Sequence, residues 1–182
     1  MKPSTLLIPL SGLLLSPAHA LTEPEASAAN TCFVASNAIE AIVQTRLNGQ
    51  QKEEAKANVI RTFGAVNENL GAYLGNQVDQ IYAQKPESLR SYGSTHNSSC
   101  LAQQAPTVNW EKAPACYLYA RFANYLAQSR DKGATQTEVA NSFKGASTSF
   151  QEMATLALKK VYENPASKFE SLAEYRTCMD GR

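Results

Sequence analysis

Histidine is almost missing from this chain of 182 residues, which contains only His19 and His96. Serine and cysteine hydrolases need a histidine beside the nucleophile, and zinc sites depend heavily on histidine and free cysteine. Paired carboxylates such as Glu170 and Glu174 exist, but pairs four residues apart on a helix usually lie on a solvated face. The sequence therefore predicts no catalytic residue, no metal site and no cofactor, and the protein is not expected to be an enzyme.

An excess of positive charge is also missing. The 17 lysines and arginines face 16 acidic residues, which leaves a formal net charge of +1. Nucleic-acid binding needs basic side chains that neutralise phosphates, so no nucleic-acid partner is expected. Long hydrophobic runs are missing as well, because polar or charged residues interrupt every apolar stretch after residue 20. No membrane span is therefore expected.

The first 20 residues have the pattern of a secretory signal peptide. Lys2 supplies the positive start, a short apolar run covers residues 6–15, and Ala18-His19-Ala20 is a small-x-small cleavage site. The apolar run is too short to cross a bilayer. We expect cleavage after Ala20, which leaves 182 − 20 = 162 residues, and export to the bacterial periplasm.

One stretch of the chain occurs twice. Shifting residues 32–49 by 116 − 32 = 84 positions lays them on residues 116–133, so that Arg46 meets Arg130 and each stretch ends in glycine. Internal similarity at a fixed period indicates duplicated structural units. The sequence therefore predicts two helical repeats, residues 21–100 and 114–182, joined by a linker at 101–113 and packed into one compact domain.

Four cysteines in an exported chain of this size indicate two disulfides, for which three pairings are possible. Each predicted repeat begins with one cysteine and ends with another, so each unit could have carried its own bridge before duplication. This selects Cys32 with Cys100, and Cys116 with Cys178. No Cys-x-x-Cys pair is present, which favours a structural role over a redox role.

Apolar residues recur at the helical spacing of 3.6, and no segment alternates with period two. The fold class is therefore expected to be all-α, a helical bundle built from two tandem disulfide-stapled repeats. Expected features of the first repeat are a loose segment at 21–30, helices near 31–47, 51–63 and 67–84, and a polar loop at 93–99. In the second repeat, helices are expected near 114–132, after Thr135, up to about Asn164, and up to about Cys178.

The repeated arginines, Arg46 and Arg130, are each followed eight residues later by a glutamate, Glu54 and Glu138. One interpretation is a twofold binding site. The preferred interpretation is structural: an arginine at a helix end meets an acidic residue at the start of the next helix, across the turn.

Three residues are candidates for a partner-binding surface. Tyr92 precedes the polar loop expected at 93–99, His96 lies within it, and Trp110 is the single tryptophan of the linker. Loops held on a rigid scaffold commonly bind partners, and exposed tyrosine and tryptophan are strong interface anchors. The alternative for Trp110, that it fills the joint between the repeats, stays open.

The signal peptide, the helix-opening cysteine, the Arg-x-x-Gly turn and the sequence Tyr175-Arg176-Thr177-Cys178 resemble small periplasmic all-α disulfide proteins of Gram-negative bacteria. Among these the chain distantly resembles the type VI secretion immunity proteins. The resemblance implies a protein that binds and blocks a cell-wall-degrading effector, without assigning any residue to that task. The alternative function is an envelope structural or stress protein that holds small ligands or unfolded chains between its repeats. The oligomeric state is left open.

Overall fold

The structure is a computed structural model that describes residues 20–89, 91–163 and 170–181. Residues 1–19 of the expected signal peptide lie outside the described part. Within it all regular structure is helical, which confirms the all-α prediction. The helices are α1 Glu23–Leu47, α2 Lys52–Gly64, α3 Glu68–Ala83, α4 Tyr92–Gln104, α5 Ala113–Asp131, α6 Gln136–Asn141, α7 Thr148–Glu163 and α8 Ser171–Met179, with 3-10 turns at Pro86–Leu89 and Trp110–Lys112. Among the described helices, none combines the length and the apolar character needed to cross a membrane.

Helix α1 begins at Glu23, 31 − 23 = 8 residues earlier than expected, so the predicted loose segment is mostly helical. The Thr22 N–H donates to the Glu25 carboxylate at 2.8 Å, which caps the first turn, and Pro24 is compatible with that turn. The added turns bury small residues, Ala26 and Ala29, rather than large apolar ones. A pattern search based on large apolar residues therefore missed them.

The polar loop predicted at 93–99 is wrong, because these residues belong to α4. Glycine, serine and asparagine favour turns and caps over helix interiors when no tertiary contact intervenes. Helix α4 also extends through residues 101–104, so the first part of the predicted linker is helical and its chain turns only afterwards.

Close packing explains why this polar segment is helical. A Cβ at Gly93 would lie 2.6 Å from the Glu40 carboxylate and 3.0 Å from the Tyr117 hydroxyl, so only glycine allows the observed approach. One turn later, the buried Asn97 accepts a hydrogen bond from the Tyr175 hydroxyl at 2.8 Å. Small and polar side chains thus let α4 pack closely against α1, α5 and α8, and tertiary contacts override the weak local helix propensity.

The disulfides join Cys32 to Cys100 and Cys116 to Cys178, the pairing selected from the repeat pattern. The first connects α1 to α4 and the second connects α5 to α8. Helices α4 and α5 pack together, as do α1 and α8, so these four helices form the middle of the molecule. The pair α2–α3 covers α1 on one side, and the pair α6–α7 covers α5 on the other.

A single apolar cluster joins the two units. The Phe33 ring stacks on Tyr175 with ring centres 4.7 Å apart and meets the edge of Tyr117 at 5.6 Å. These side chains come from α1, α8 and α5, and all three are buried. Burial raises the pKa of Tyr117 to about 12 and raises the pKa of Tyr175 as well. The joint between the units is therefore a packed core of aromatic rings.

The repeated arginines make the same contact in each unit. Arg46 donates to the main-chain carbonyls of Ile81 and Gln84 at the end of α3, and Arg130 donates to the carbonyl of Val161 at 2.8 Å near the end of α7. The expected contact across the turn is therefore not the main one, because the guanidinium groups bind carbonyls that a helix end leaves unpaired.

Two tyrosines complete the correspondence. The Tyr82 hydroxyl donates to the Gln50 carbonyl at 2.8 Å, and the Tyr162 hydroxyl donates to the Ala134 carbonyl at 2.9 Å. Each bond ties the third helix of a unit to the turn after its first helix. The two units thus share a set of specific contacts, while their origin by duplication stays a prediction.

Candidate functional site

Two grooves lie on the surface, one in each unit. The groove of the first unit, here called the polar groove, lies between α1, α3 and α4 and has a volume of about 480 Å³. It is lined by Thr31, Ala35, Leu70, Tyr73, Gln77, His96, Ser99, Cys100, Gln103 and Gln104. The groove of the second unit, here called the apolar groove, lies mainly between α5 and α7 and has a volume of about 600 Å³. It is lined by Ala115, Leu118, Arg121, Phe122, Ser147, Ser149, Phe150 and Met153.

The two grooves occupy matching places. Three lining positions correspond by the offsets that relate the shared contacts, which are 130 − 46 = 84 for the first helices and 161 − 81 = 80 for the third helices. The corresponding pairs are Thr31 with Ala115, Leu70 with Phe150, and Tyr73 with Met153. The fold therefore presents one groove twice, with different chemistry in each copy.

The fourth helices explain much of that difference. Helix α4 supplies half of the lining of the polar groove, including His96, Ser99 and Gln103. Helix α8 is shorter, 9 residues against 13, and none of its described residues lines the apolar groove. The first groove is therefore walled by polar side chains on a side where the second is open.

His96 is held from both sides in the polar groove. Its Nδ1 lies 2.8 Å from the Ser36 hydroxyl, and its Nε2 lies 2.5 Å from the Tyr73 hydroxyl. A neutral imidazole donates through one nitrogen and accepts through the other, so the two hydroxyls take complementary roles. Ser36 is completely buried and cannot reach a substrate. The arrangement fixes the ring in place and does not provide a serine nucleophile next to a free base.

Protonation of His96 is expected to destabilise the fold. Burial holds the pKa of His96 below its ordinary value of 6.5, so the unfolded chain takes up a proton at a higher pH than the folded chain does. This contribution to the free energy of unfolding is complete above pH 6.5 and decreases as the pH falls from 6.5 toward the folded-state pKa.

Urea unfolding at about pH 7.5 and about pH 5.5 measures this effect on His96. The wild-type protein should lose more stability between the two conditions than His96→Gln, whose side chain does not titrate. Equal losses in the two proteins would contradict the assignment of the effect to His96.

The apolar groove has an aromatic floor. The ring of Phe122 lies 5.0 Å from that of Phe143 and 5.2 Å from that of Phe150, in edge-to-face contacts that hold all three side chains. Leu118 on α5 is 49% exposed at the groove wall. The arrangement can bury an apolar side chain of another molecule against a preformed aromatic surface.

One charged residue, Arg121, lies at the rim of this groove. Its guanidinium is 3.3 Å from the Glu40 carboxylate on α1 and lies over the ring of Tyr117 at 5.7 Å from the ring centre. The ion pair therefore connects the first helices of the two units beside the apolar groove.

The structure separates the three residues predicted to bind a partner. His96 lines the polar groove, and Tyr92, one turn earlier on α4, is partly buried against the apolar cluster of the first unit. Trp110 is 39% exposed on its 3-10 turn, where its carbonyl accepts a hydrogen bond from Ser98 at 3.2 Å, and it lines neither groove. Sequence reasoning assigned Tyr73, Leu118 and Phe150 to helix faces that point into the core, and it missed their place in the grooves.

No protein-family model, no curated protein and no solved structure matches this chain. The functional argument therefore rests on the geometry of the two grooves.

Proposed function

We propose that this protein is an exported, non-catalytic binding protein that attaches to another protein through its apolar groove and blocks that partner, as an immunity protein blocks a toxin or effector. The observation that carries the proposal is the exposed aromatic and aliphatic surface between α5 and α7. Export to the periplasm is part of the proposal, and the two disulfides support it because such bridges persist in oxidising compartments.

The extent of the apolar surface favours a protein partner over a small ligand. Beyond the groove, Leu156 on α7 is 66% exposed, and Tyr125 on α5 is exposed with its ring near that of Phe122. Pockets for small molecules enclose most of their ligand, whereas an open surface of aromatic and aliphatic side chains is typical of the centre of a protein interface.

The scaffold beneath this surface also suits tight binding. Helix α5, which supplies Leu118 and Phe122, is tied to α8 by the bridge between Cys116 and Cys178 and packs against α4. A surface that is already rigid loses little conformational entropy when a partner binds, so more of the contact energy appears as affinity.

The alternative function, an envelope protein that holds ligands or unfolded chains between its units, has less support. The rings of Phe33, Tyr117 and Tyr175 fill the joint where such a ligand would lie. A ligand of that kind would have to use one of the open grooves, and binding would be weak and unselective.

The proposal predicts a partner encoded beside this gene. The purified neighbouring product should form an equimolar complex with this protein, and its enzymatic or toxic activity should fall to background when the two are mixed in equal amounts. Activity that persists at excess inhibitor would contradict the proposal. Equally weak binding of several unrelated unfolded proteins would instead support the alternative function.

A further inference from the structure

The polar groove contains amide and hydroxyl groups that the fold itself does not use. Gln77 on α3 is nine-tenths buried and lines this groove. Within the described residues its side-chain amide has no hydrogen-bond partner, and the same holds for Gln103 and for the hydroxyl of Ser99 on the facing wall. Because buried amides in proteins are almost always paired, an amide left free in a groove indicates a ligand that pairs with it.

The same groove contains a fixed aromatic wall. Tyr73 is 40% exposed, and its hydroxyl is held at 2.5 Å from His96 Nε2, while His96 is held in turn by the buried Ser36. This chain of contacts fixes both the position and the tilt of the Tyr73 ring. A ring held in this way offers a preorganised flat surface on which a ligand can stack.

The lining excludes several classes of ligand. No lysine, arginine, aspartate or glutamate lines the groove, so neither an anion nor a cation would find an opposite charge there. Among the described residues, no group of three potential metal-ligating side chains occurs. A purely apolar ligand would remove water from the glutamine amides without replacing its hydrogen bonds. An uncharged ligand that carries both hydroxyl groups and an apolar face remains.

We propose that the polar groove binds a neutral sugar of one or two rings. The apolar face of the sugar ring stacks on Tyr73, and its hydroxyls, which both donate and accept, pair with the amides of Gln77 and Gln103. The volume of about 480 Å³ falls within the range of about 300–1,000 Å³ that is usual for small-ligand sites. This site lies in the first unit and is independent of the protein-binding surface proposed for the second.

The experiment is a titration of the isotope-labelled, disulfide-bonded protein, followed by the backbone and side-chain amide resonances. The probes are cellobiose, maltose and N,N′-diacetylchitobiose at millimolar concentrations, with trialanine as a neutral peptide probe. At least one sugar should produce saturable shifts centred on Tyr73, Gln77 and Gln103. If no sugar does so, if only trialanine does so, or if the shifts centre on Leu118 instead, the proposal is overturned.

Variants identify the groups that bind the sugar. Tyr73→Ala and Gln103→Ala should each weaken binding roughly tenfold, since each removes one contact with the sugar. Gln103 is exposed, so its variant should fold normally, and unchanged thermal unfolding would verify this. Met153→Ala, at the position of the apolar groove that matches Tyr73, is the control and should bind as the wild type does. Loss of binding in Met153→Ala, or retention in both other variants, would contradict the assigned site.

Discussion

Replacing Phe33 by alanine is expected to lower the free energy of unfolding by about 3–5 kcal/mol, the usual cost of deleting a buried aromatic ring. Phe33 is 2% exposed and contacts Tyr175 from α8 and Tyr117 from α5, so its ring belongs to the core of both units. The cavity would lie between helices that two disulfides hold in place, which limits how far the surrounding side chains can collapse into it.

Chemical denaturation of the oxidised protein measures this cost. The wild-type protein should unfold in one transition, and Phe33→Ala should shift the midpoint strongly to lower denaturant. Tyr125→Ala is the control, because Tyr125 is exposed and its removal leaves no buried cavity. A shift for Phe33→Ala no larger than that of the control would show that the two units do not share a core.

Replacing Gly71 by alanine is expected to cost about 2 kcal/mol, within the range for overpacking a close contact. A Cβ at Gly71 would lie 2.7 Å from Cα and 2.8 Å from the main-chain nitrogen of Gly64. Main-chain atoms cannot rotate away, so α2 and α3 would have to separate. The higher helix propensity of alanine offsets only about 1 kcal/mol of this strain.

Gly64→Ala provides the matched control. Its added Cβ would have no neighbour closer than a side-chain carbon of Ile60 at 4.0 Å. The variant should therefore be as stable as the wild type or slightly more stable, because glycine is a poor helix former. Thermal unfolding of both variants tests the contact, and equal destabilisation by the two substitutions would contradict the close approach of α2 and α3.

Local signals predicted much of the fold. Gly49 and Gly133 end α1 and α5 with φ of +84° and +91°, a conformation that glycine adopts easily, and both were recognised as helix-terminating residues. The cysteine pairing followed from matched positions in the two repeats. These features depend on residues close in sequence or on a regular offset, so a single sequence reveals them.

Helix α4 shows what a single sequence could not reveal. Its serines, its asparagine and Gly93 favour a loop locally, and they form a helix because they allow close packing against Glu40 and Tyr117, which lie far away in the chain. The candidate site has the same origin. His96 was recognised as a rare residue, but its partners Ser36 and Tyr73 are 60 and 23 residues away on other helices.

The apolar groove escaped prediction for a related reason. The periodicity that assigned Leu118 and Phe150 to a buried face is correct for their helices, but burial also depends on whether a neighbouring helix covers that face. Helix α8 is too short to line this side of the groove, so Leu118 remains half exposed. Its matched position in the first unit, 118 − 84 = 34, is Val34, which is also half exposed.

Calorimetric titration of the neighbouring gene product with Leu118→Glu and Val34→Glu tests the central claim most directly. Both positions are on first helices and are 49% and 51% exposed, so both variants should fold equally well. If the apolar groove binds the partner, Leu118→Glu should weaken the complex roughly a hundredfold, or about 2.8 kcal/mol, because a charge would be buried without an opposite charge. Val34→Glu should leave the affinity unchanged. Equal affinities for the two variants, or a loss confined to Val34→Glu, would contradict the account.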